Sequence, residues 1–465
     1  MRLHPLALAL LLTGISTQSH ATDLLQAYEL ARQSDPQLSA AESQKDAQGE
    51  GVVQSRSALL PQITGDASWN RSTSDSDGTQ ILGGTPFTSD SSSTTTSTSV
   101  GVTLRQTIYD HSNYTRLGAS KARASQASLE YDAASDALVV RTADAYFNVL
   151  TAIETLASSR AEERSVKRQL DQADKRLEVG LAPITDVHEA RARFDSARAN
   201  AIASANALYD AREALAEITG VNIENIRGLS SNYQPENTDI RSLEEWVQQA
   251  LANNPSLAAR QKALEAAEKD VKTAYAAHFP TLSASATWRD NGSDGDSTNN
   301  LLPPPNNTLF ENGNTSSGVG VQLSIPIFSG FGTQSRVRQA INQRDIVADQ
   351  LEQQKRAITR QTRSAYRSLE AGIAEVEARR LAVVSAQAAY EAGEAGLEVG
   401  TRTIVDVLIA QQQLYLAQRE YARARHAFLV NTLRLRQAAG VLELSDVQNV
   451  NRSLTVDAEA ALINN

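Results

Sequence analysis

Apolar and polar positions change period along this chain, and the changes come twice in the same order. Ile63, Gly65, Ala67 and Trp69 alternate with Thr64, Asp66, Ser68 and Asn70, the period of two expected of a strand with one apolar face. Val100, Val102, Leu104 and Ile108 oppose Thr103, Arg105 and Thr107 in the same way. Leu282, Ala284, Ala286 and Trp288 oppose Ser283, Ser285, Thr287 and Arg289, and Val319, Val321, Leu323, Ile325 and Ile327 complete a fourth strand. Between paired strands, 72–99 and 291–317 are rich in Ser, Thr, Asn, Asp and Gly, with prolines at 303–305. They read as long solvated loops. Asp75 with Asp77 and Asp294 with Asp296 offer carboxylates of the kind calcium takes, but the spacing of a complete calcium loop is missing.

Elsewhere the period is that of helices. Ala143, Tyr146, Leu150, Ile153 and Ala157 step by three and four, as do Tyr366, Leu369, Ile373 and Val376, a coiled-coil stripe whose Tyr and Leu positions are core positions. Two related phrases interrupt these stripes, Leu-Glu-Val-Gly-Leu-Ala-Pro-Ile-Thr-Asp-Val at 177–187 and Leu-Glu-Val-Gly-Thr-Arg-Thr-Ile-Val-Asp-Val at 397–407. Gly180 and Gly400 fall where a helix C-terminus favours a residue free to take positive φ. Pro183 suits the start of the next helix, and Asp186 and Asp406 lie in its first turn, where a carboxylate meets the positive end of the helix dipole. Each phrase is therefore a turn between two helices.

The whole pattern is a duplication. Leu24, Pro36, Leu38, Pro61 and Trp69 match Leu243, Pro255, Leu257, Pro280 and Trp288 at a shift of 219. The shift becomes 220 by Arg116 and Arg336 and holds for Gly180 with Gly400 and Gly220 with Gly440. A repeat of this length is a duplicated structural unit rather than a solenoid module. The expected organisation is a signal segment at 1–21, a first repeat at 22–227, a linker at 228–241, a second repeat at 242–447 and a tail at 448–465. Within each repeat the order is helix, strand pair, long helix, turn, helix.

Lengths suggest how the pieces combine. A helix over 112–178 would span ~100 Å at ~1.5 Å per residue, and helices over 184–219 and 243–279 only ~54 Å and ~55 Å. Two short helices thus sum to one long one, which would bring both glycine turns to the same end, about 100 Å from the strands. Four strands are too few to close a barrel, and an open four-stranded sheet with an uncovered apolar face exposes two edges. Three chains give twelve strands, with apolar faces on lipid and polar faces on a wet lumen. Trp69 and Trp288 then fit a membrane-interface girdle. The fold class expected is all-α with a transmembrane β-barrel, a trimeric barrel continued by a helical tunnel.

Composition narrows the setting. Arg2, the apolar run from Leu6 to Leu12 and the Ser19-His-Ala21 site read as an export signal. There is no cysteine, so disulfides, thiolate metal sites and a lipid-modified N-terminal cysteine are excluded. The formal net charge of −10 disfavours nucleic acid as a partner. His111, His188, His278 and His426 are scattered, and no nucleotide loop, nucleophile elbow or metal spacing is present. The expectation is a protein without cofactor or catalytic site.

Several stretches resemble the TolC family of outer-membrane efflux ducts: 145–153 (Ala-Tyr-Phe-Asn-Val-Leu-Thr-Ala-Ile), 170–172 (Leu-Asp-Gln), 179–181 (Val-Gly-Leu), 184–187 (Ile-Thr-Asp-Val) and 399–408 (Val-Gly-Thr-Arg-Thr-Ile-Val-Asp-Val-Leu). The resemblance runs from Leu24 to beyond Gly440. It implies a homotrimer in the outer membrane of a Gram-negative bacterium, extending into the periplasm. It also implies docking to a periplasmic adaptor and to an inner-membrane transporter of the RND, ABC or MFS type, in efflux or type I secretion. By position it makes Thr185 and Asp186 acceptors and Arg402 the donor of a gate, and Asp406 an acidic ring inside it. Val179, Gly180, Leu181, Val399, Gly400 and Thr401 become adaptor contacts. Two positions depart from the family pattern: Leu397 replaces a gate tyrosine, and Ile409 replaces a second acidic residue. The gate would then depend more on Arg402, and cation block would be weaker. A trimeric coiled-coil surface protein, such as an adhesin, is the alternative; it explains the helical stripes but not the duplicated amphipathic strands.

Overall fold

The computed structural model describes residues 21–82, 84–230, 233–235, 241–299 and 306–463. Residues 1–20 of the expected signal segment and the prolines at 303–305 lie outside these. The chain forms two compact units. One comprises Gln44–Ser128 and Ala259–Glu352, the other Met1–Ser43, Leu129–Ala258 and Gln353–Asn465.

The first of these units contains the sheet. Strands β1 (Gln62–Leu82), β2 (Thr85–Tyr109), β4 (Thr281–Asn299) and β5 (Asn306–Ser324) pair antiparallel in the order β1-β2-β4-β5. Both faces of the sheet are open in the protomer, the polar Thr64, Asp66, Ser68 and Asn70 being exposed as well as the apolar positions. Ile63, Val100, Val102, Leu104, Val319, Val321 and Leu323 present their side chains to the surface, with Trp69 at 67% and Trp288 at 45% exposed. Trp288 sits between Val102 and Ser317 in the register.

The expected loops at 72–99 and 291–317 are not loops where described. The ladders continue through them, from Ser72↔Thr95 to Leu82↔Thr85 and from Asn291↔Asn314 to Asn299↔Asn306. Backbone pairing needs no apolar side chain, threonine favours the extended chain, and polar cross-strand pairs fit a hairpin that is wet on both faces. Ser92 donates to Asp75 at 2.6 Å, Ser99 to Asn291 at 2.8 Å and Thr315 to Asp290 at 2.7 Å. At its other end the last strand stops early: Ile325 and Ile327 lie beyond β5 and are exposed.

Each expected continuous helix before the strands is broken at a proline. Helices α1 (Leu24–Ser34) and α2 (Pro36–Ser57) meet at Asp35, and α5 (Leu243–Asn253) and α6 (Pro255–Ala276) meet at Asn254. Pro36 and Pro255 donate no N–H and push the residue before them out of the helical region. Asp35 and Asn254 are indeed extended, with ψ of 118° and 119°. Both cap the helix that follows. Asp35 accepts from the Leu38 N–H at 2.8 Å, and Asn254 from the Leu257 N–H at 3.2 Å. The partners differ between repeats: Asp35 pairs with Arg141 at 2.6 Å, whereas Asn254 donates to the Ala438 carbonyl at 3.1 Å.

The second unit is built on long helices. Helices α3 (His111–Glu178), α4 (Ile184–Thr219), α7 (Gly332–Glu398) and α8 (Ile404–Ala438) carry the coiled-coil stripes, and their segments in this unit make its core. Tyr146, Leu150 and Ile153 of α3 pack with Phe428 and Leu433 of α8, as the spacing of these positions anticipates. The C-terminal segment closes one side of that core. After α9 (Leu444–Arg452), β6 (Leu454–Asp457) pairs antiparallel with β3 (Arg227–Leu229) from the linker. Thr22 bridges to Ile226, and the Tyr146 hydroxyl donates to the Arg227 carbonyl at 2.7 Å, with the Thr22 carbonyl at 3.1 Å. Tyr146 thus ties Thr22, ahead of α1, to the start of β3, on which the C-terminal strand pairs.

Candidate functional site: two paired helical hairpins

Both glycine turns end their helices by the same mechanism. Gly180 and Gly400 take φ of 76° and 78°, the left-handed region that a side chain disfavours. The Gly180 N–H reaches the Leu177 carbonyl at 3.0 Å and the Leu181 N–H the Arg176 carbonyl at 2.7 Å. In the second copy the Gly400 N–H reaches Leu397 at 3.3 Å and the Thr401 N–H reaches Gly396 at 2.8 Å. This double bond pattern satisfies the last carbonyls of α3 and α7 and reverses the chain within a few residues.

The two hairpins lie side by side. Val166, Leu170 and Ala173 of α3, Val187, Ala190 and Ala197 of α4 and Ile404 and Leu408 of α8 form one apolar cluster, with Leu177 and Leu397 packed against it. The Leu397 side chain contributes apolar packing and no hydrogen bond. Arg193 of α4 donates to Gln412 of α8 at 3.3 Å. The tips remain uncovered: Val179, Leu181 and Val399 are among the more exposed large apolar side chains, beside Gly180, Gly400 and Thr401, which are also exposed.

Charge distinguishes the copies. Pro183 starts α4 without a side-chain cap, while Thr403 caps α8. The Asp406 N–H donates to Thr403 Oγ1 at 3.2 Å, and Asp406 Oδ2 accepts from the Thr403 N–H at 3.0 Å and from its hydroxyl at 2.8 Å. These bonds, with the Arg402 charge nearby, hold the Asp406 carboxyl below the usual carboxylate range. The sequence reading passes over Thr403, although a threonine three residues before an acid is the spacing of a capping box. Thr185 and Arg402 are exposed, and Asp186 is half-exposed. No hydrogen bond or ion pair joins Arg402 to Thr185 or Asp186 within the protomer.

Aromatic residues cluster where helices meet strands, another feature the sequence reading leaves out. His111 and Phe279 meet edge to face at 5.3 Å, Tyr275 and Phe279 at 5.8 Å, and Phe328 and Phe331 at 5.6 Å between ring centroids. The signal was available as Phe328 and Phe331 flanking Ser329-Gly330 just past the fourth apolar alternation.

An antiparallel sheet with an uncovered apolar face, continuous in sequence with helices of 68 and 67 residues that end in paired hairpins, defines a channel of the outer-membrane barrel-and-tunnel class. The fold matches the crystal structure of the Campylobacter jejuni CmeC outer membrane channel, with a TM-score of 0.73 at 18% identity, covering 94% of this chain and 90% of that one. The chain belongs to the outer membrane efflux protein family, whose model matches it twice, at residues 27–221 and 246–441. It is 35% identical to the outer membrane protein TolC of Vibrio cholerae over 98% of this chain and 99% of that protein. It is 30% identical to the alkaline protease secretion protein AprF of Pseudomonas aeruginosa over 92% of this chain and 87% of that protein. It is thus a TolC-family protein of the Gram-negative outer membrane.

Proposed function

We propose that this chain is the exit duct of efflux and secretion machines and that its two paired hairpins are the gate. Three copies close a twelve-stranded barrel in the outer membrane, and the duct works with a periplasmic adaptor and an inner-membrane transporter. Cargo passes passively, and the energy comes from the inner-membrane partner. The observation that carries this reading is the exposed apolar face of a four-stranded sheet with two free edges. Such a face is stable on lipid, and closure between copies removes the edges. Trp69 and Trp288 mark the membrane interface on that face. The two repeats, 22–227 and 242–447 around the 228–241 linker, supply two strands and one hairpin each.

In the gate, Arg402 of one protomer reaches Thr185 and Asp186 of the next. Within one protomer this exposed guanidinium is bonded to neither Thr185 nor Asp186, its nearby charge being Asp406, and this supports that assignment. Three Asp406 carboxylates around the threefold axis form the acidic ring, and the tips at Val179, Gly180, Leu181, Val399, Gly400 and Thr401 receive the adaptor.

Planar-bilayer recordings of the purified trimer test the duct and its ring together. A low-conductance channel blocked by multivalent cations from the hairpin side is expected. Asp406→Asn should weaken that block severalfold and leave the hairpin folded, because an asparagine oxygen still accepts from Thr403. The depressed carboxyl also sets a sign with pH. Block should persist on acidification until the pH falls below the ordinary aspartate range, where the ring loses its charge. No channel at all would favour the surface-protein reading, and unchanged block in Asp406→Asn would leave the residue as a helix cap only.

A further inference from the structure

Three helices meet around a buried amide that the gate does not use. Gln411 on α8 is 1% exposed. Its Nε2 donates to Ser165 Oγ on α3 at 2.5 Å and to the Tyr390 hydroxyl on α7 at 3.3 Å. Tyr390 in turn donates to Glu394 at 2.5 Å. Burial first, and then the bond to Glu394, push the Tyr390 phenol up to about 12. It therefore keeps its proton at neutral pH, spends it on Glu394, and offers its oxygen to Gln411. Ser165 is held from a second side by Arg168 at 3.3 Å. Val166, Leu170 and Leu408, all buried, come from the same stretches of α3 and α8.

The duplication supplies an internal comparison. Tyr390 and Gln411 stand where the first repeat has Leu170 and Arg191. Leu170 is apolar and buried, and Arg191 is exposed. The Tyr390 and Gln411 members of the junction thus have no polar counterpart at the same place in the first hairpin's core, and they belong to the hairpin that also carries Arg402. Its free-energy character suits a moving part. A hydrogen bond that can be exchanged for water contributes little net stability, yet leaving its buried donor unpaired is costly. Such a junction fixes one geometry while intact and separates cheaply once water enters. Gln411 Oε1 is buried and has no hydrogen-bond partner within the protomer.

We propose that Gln411, Ser165 and Tyr390 form a second latch, which holds the α7–α8 hairpin to α3 in the closed duct and parts when that hairpin swings away. The proposal rests on the gate assigned above. Gln411 is a positioning residue here, acting on the hairpin and not on cargo.

The test is a double-mutant cycle read as open fraction in planar bilayers, with intact trimers checked on gels. Ser165→Ala and Tyr390→Phe each delete one oxygen, keep the packing and leave a Gln411 donor unpaired, and each should raise the open fraction about tenfold. Gln411→Leu removes both donors at once, so it should raise the open fraction at least as much and should abolish any further effect of the other two substitutions. If Arg402→Ser opens the duct but Ser165→Ala and Tyr390→Phe stay at wild-type conductance, or act equally in the Gln411→Leu background, the latch is overturned and the gate stands. If Arg402→Ser itself leaves the duct closed, the gate assignment falls, and the latch with it.

Discussion

Arg402→Ser should turn a low-conductance channel into one that is open most of the time. Each exposed or half-exposed ion pair contributes at most about 1 kcal/mol, and three symmetry-related pairs act on one gate, so the open fraction should rise about a hundredfold. The effect should be large here because the chain lacks two other restraints. Leu397 packs into the apolar cluster and makes no hydrogen bond to the first hairpin. Pro183 leaves α4 without a side-chain cap, so the first turn of α4 is held less firmly than that of α8. Lysine at 402 should restore closure only in part, since an ammonium lacks the planar fork that engages a hydroxyl and a carboxylate together. An Arg402→Ser channel with wild-type conductance would remove Arg402 from the gate.

Asp35→Ala should lower the thermal midpoint of the trimer more than most single substitutions. The side chain is 2% exposed, caps α2 through the Leu38 N–H and pairs with Arg141. Alanine removes the cap and leaves the guanidinium, itself partly exposed, without its partner, at a combined cost of about 3 kcal/mol. The second repeat shows what a milder change does. Asn254 caps α6 with no charge at all, and Gln361 stands where Arg141 stands in the first repeat. Asp35→Asn alone should therefore recover the cap but not the pairing, costing about 1 kcal/mol. The double change Asp35→Asn with Arg141→Gln should recover more. Equal melting of the alanine and asparagine variants would show that the cap contributes nothing.

Much of this fold was legible because duplication repeats every signal. The alternation around Trp69 and Trp288, the stripe through Tyr146 and the glycines of both turns gave the four-stranded sheet, the long helices and their ends. The misreadings have separate physical causes. The Ser/Thr runs at 72–99 and 291–317 were read as loops because polarity reports exposure, whereas a two-sided wet hairpin keeps its ladder. The breaks at Asp35 and Asn254 were visible as the prolines that follow them, but helical periodicity on both sides obscured them. The Thr403 cap was present as spacing and was read only as a dipole effect. The pairing of β6 with β3 joins segments more than two hundred residues apart and leaves no local trace. The partner proposed for Arg402 lies in a neighbouring chain, so neither the sequence nor one protomer displays that pair.

The most direct measurement uses the absence of cysteine from the chain. With Thr185→Cys and Arg402→Cys in one protein, the only thiols are those placed at the proposed acceptor and donor. Reduced, this protein lacks the latch and should conduct like Arg402→Ser. Oxidised, it should run as linked protomers on a denaturing gel, fall to the wild-type low conductance and reopen when reductant is added. Linkage confined within single protomers, or linked trimers that still conduct freely, would contradict a gate closed by the second hairpin of one protomer on the first hairpin of the next.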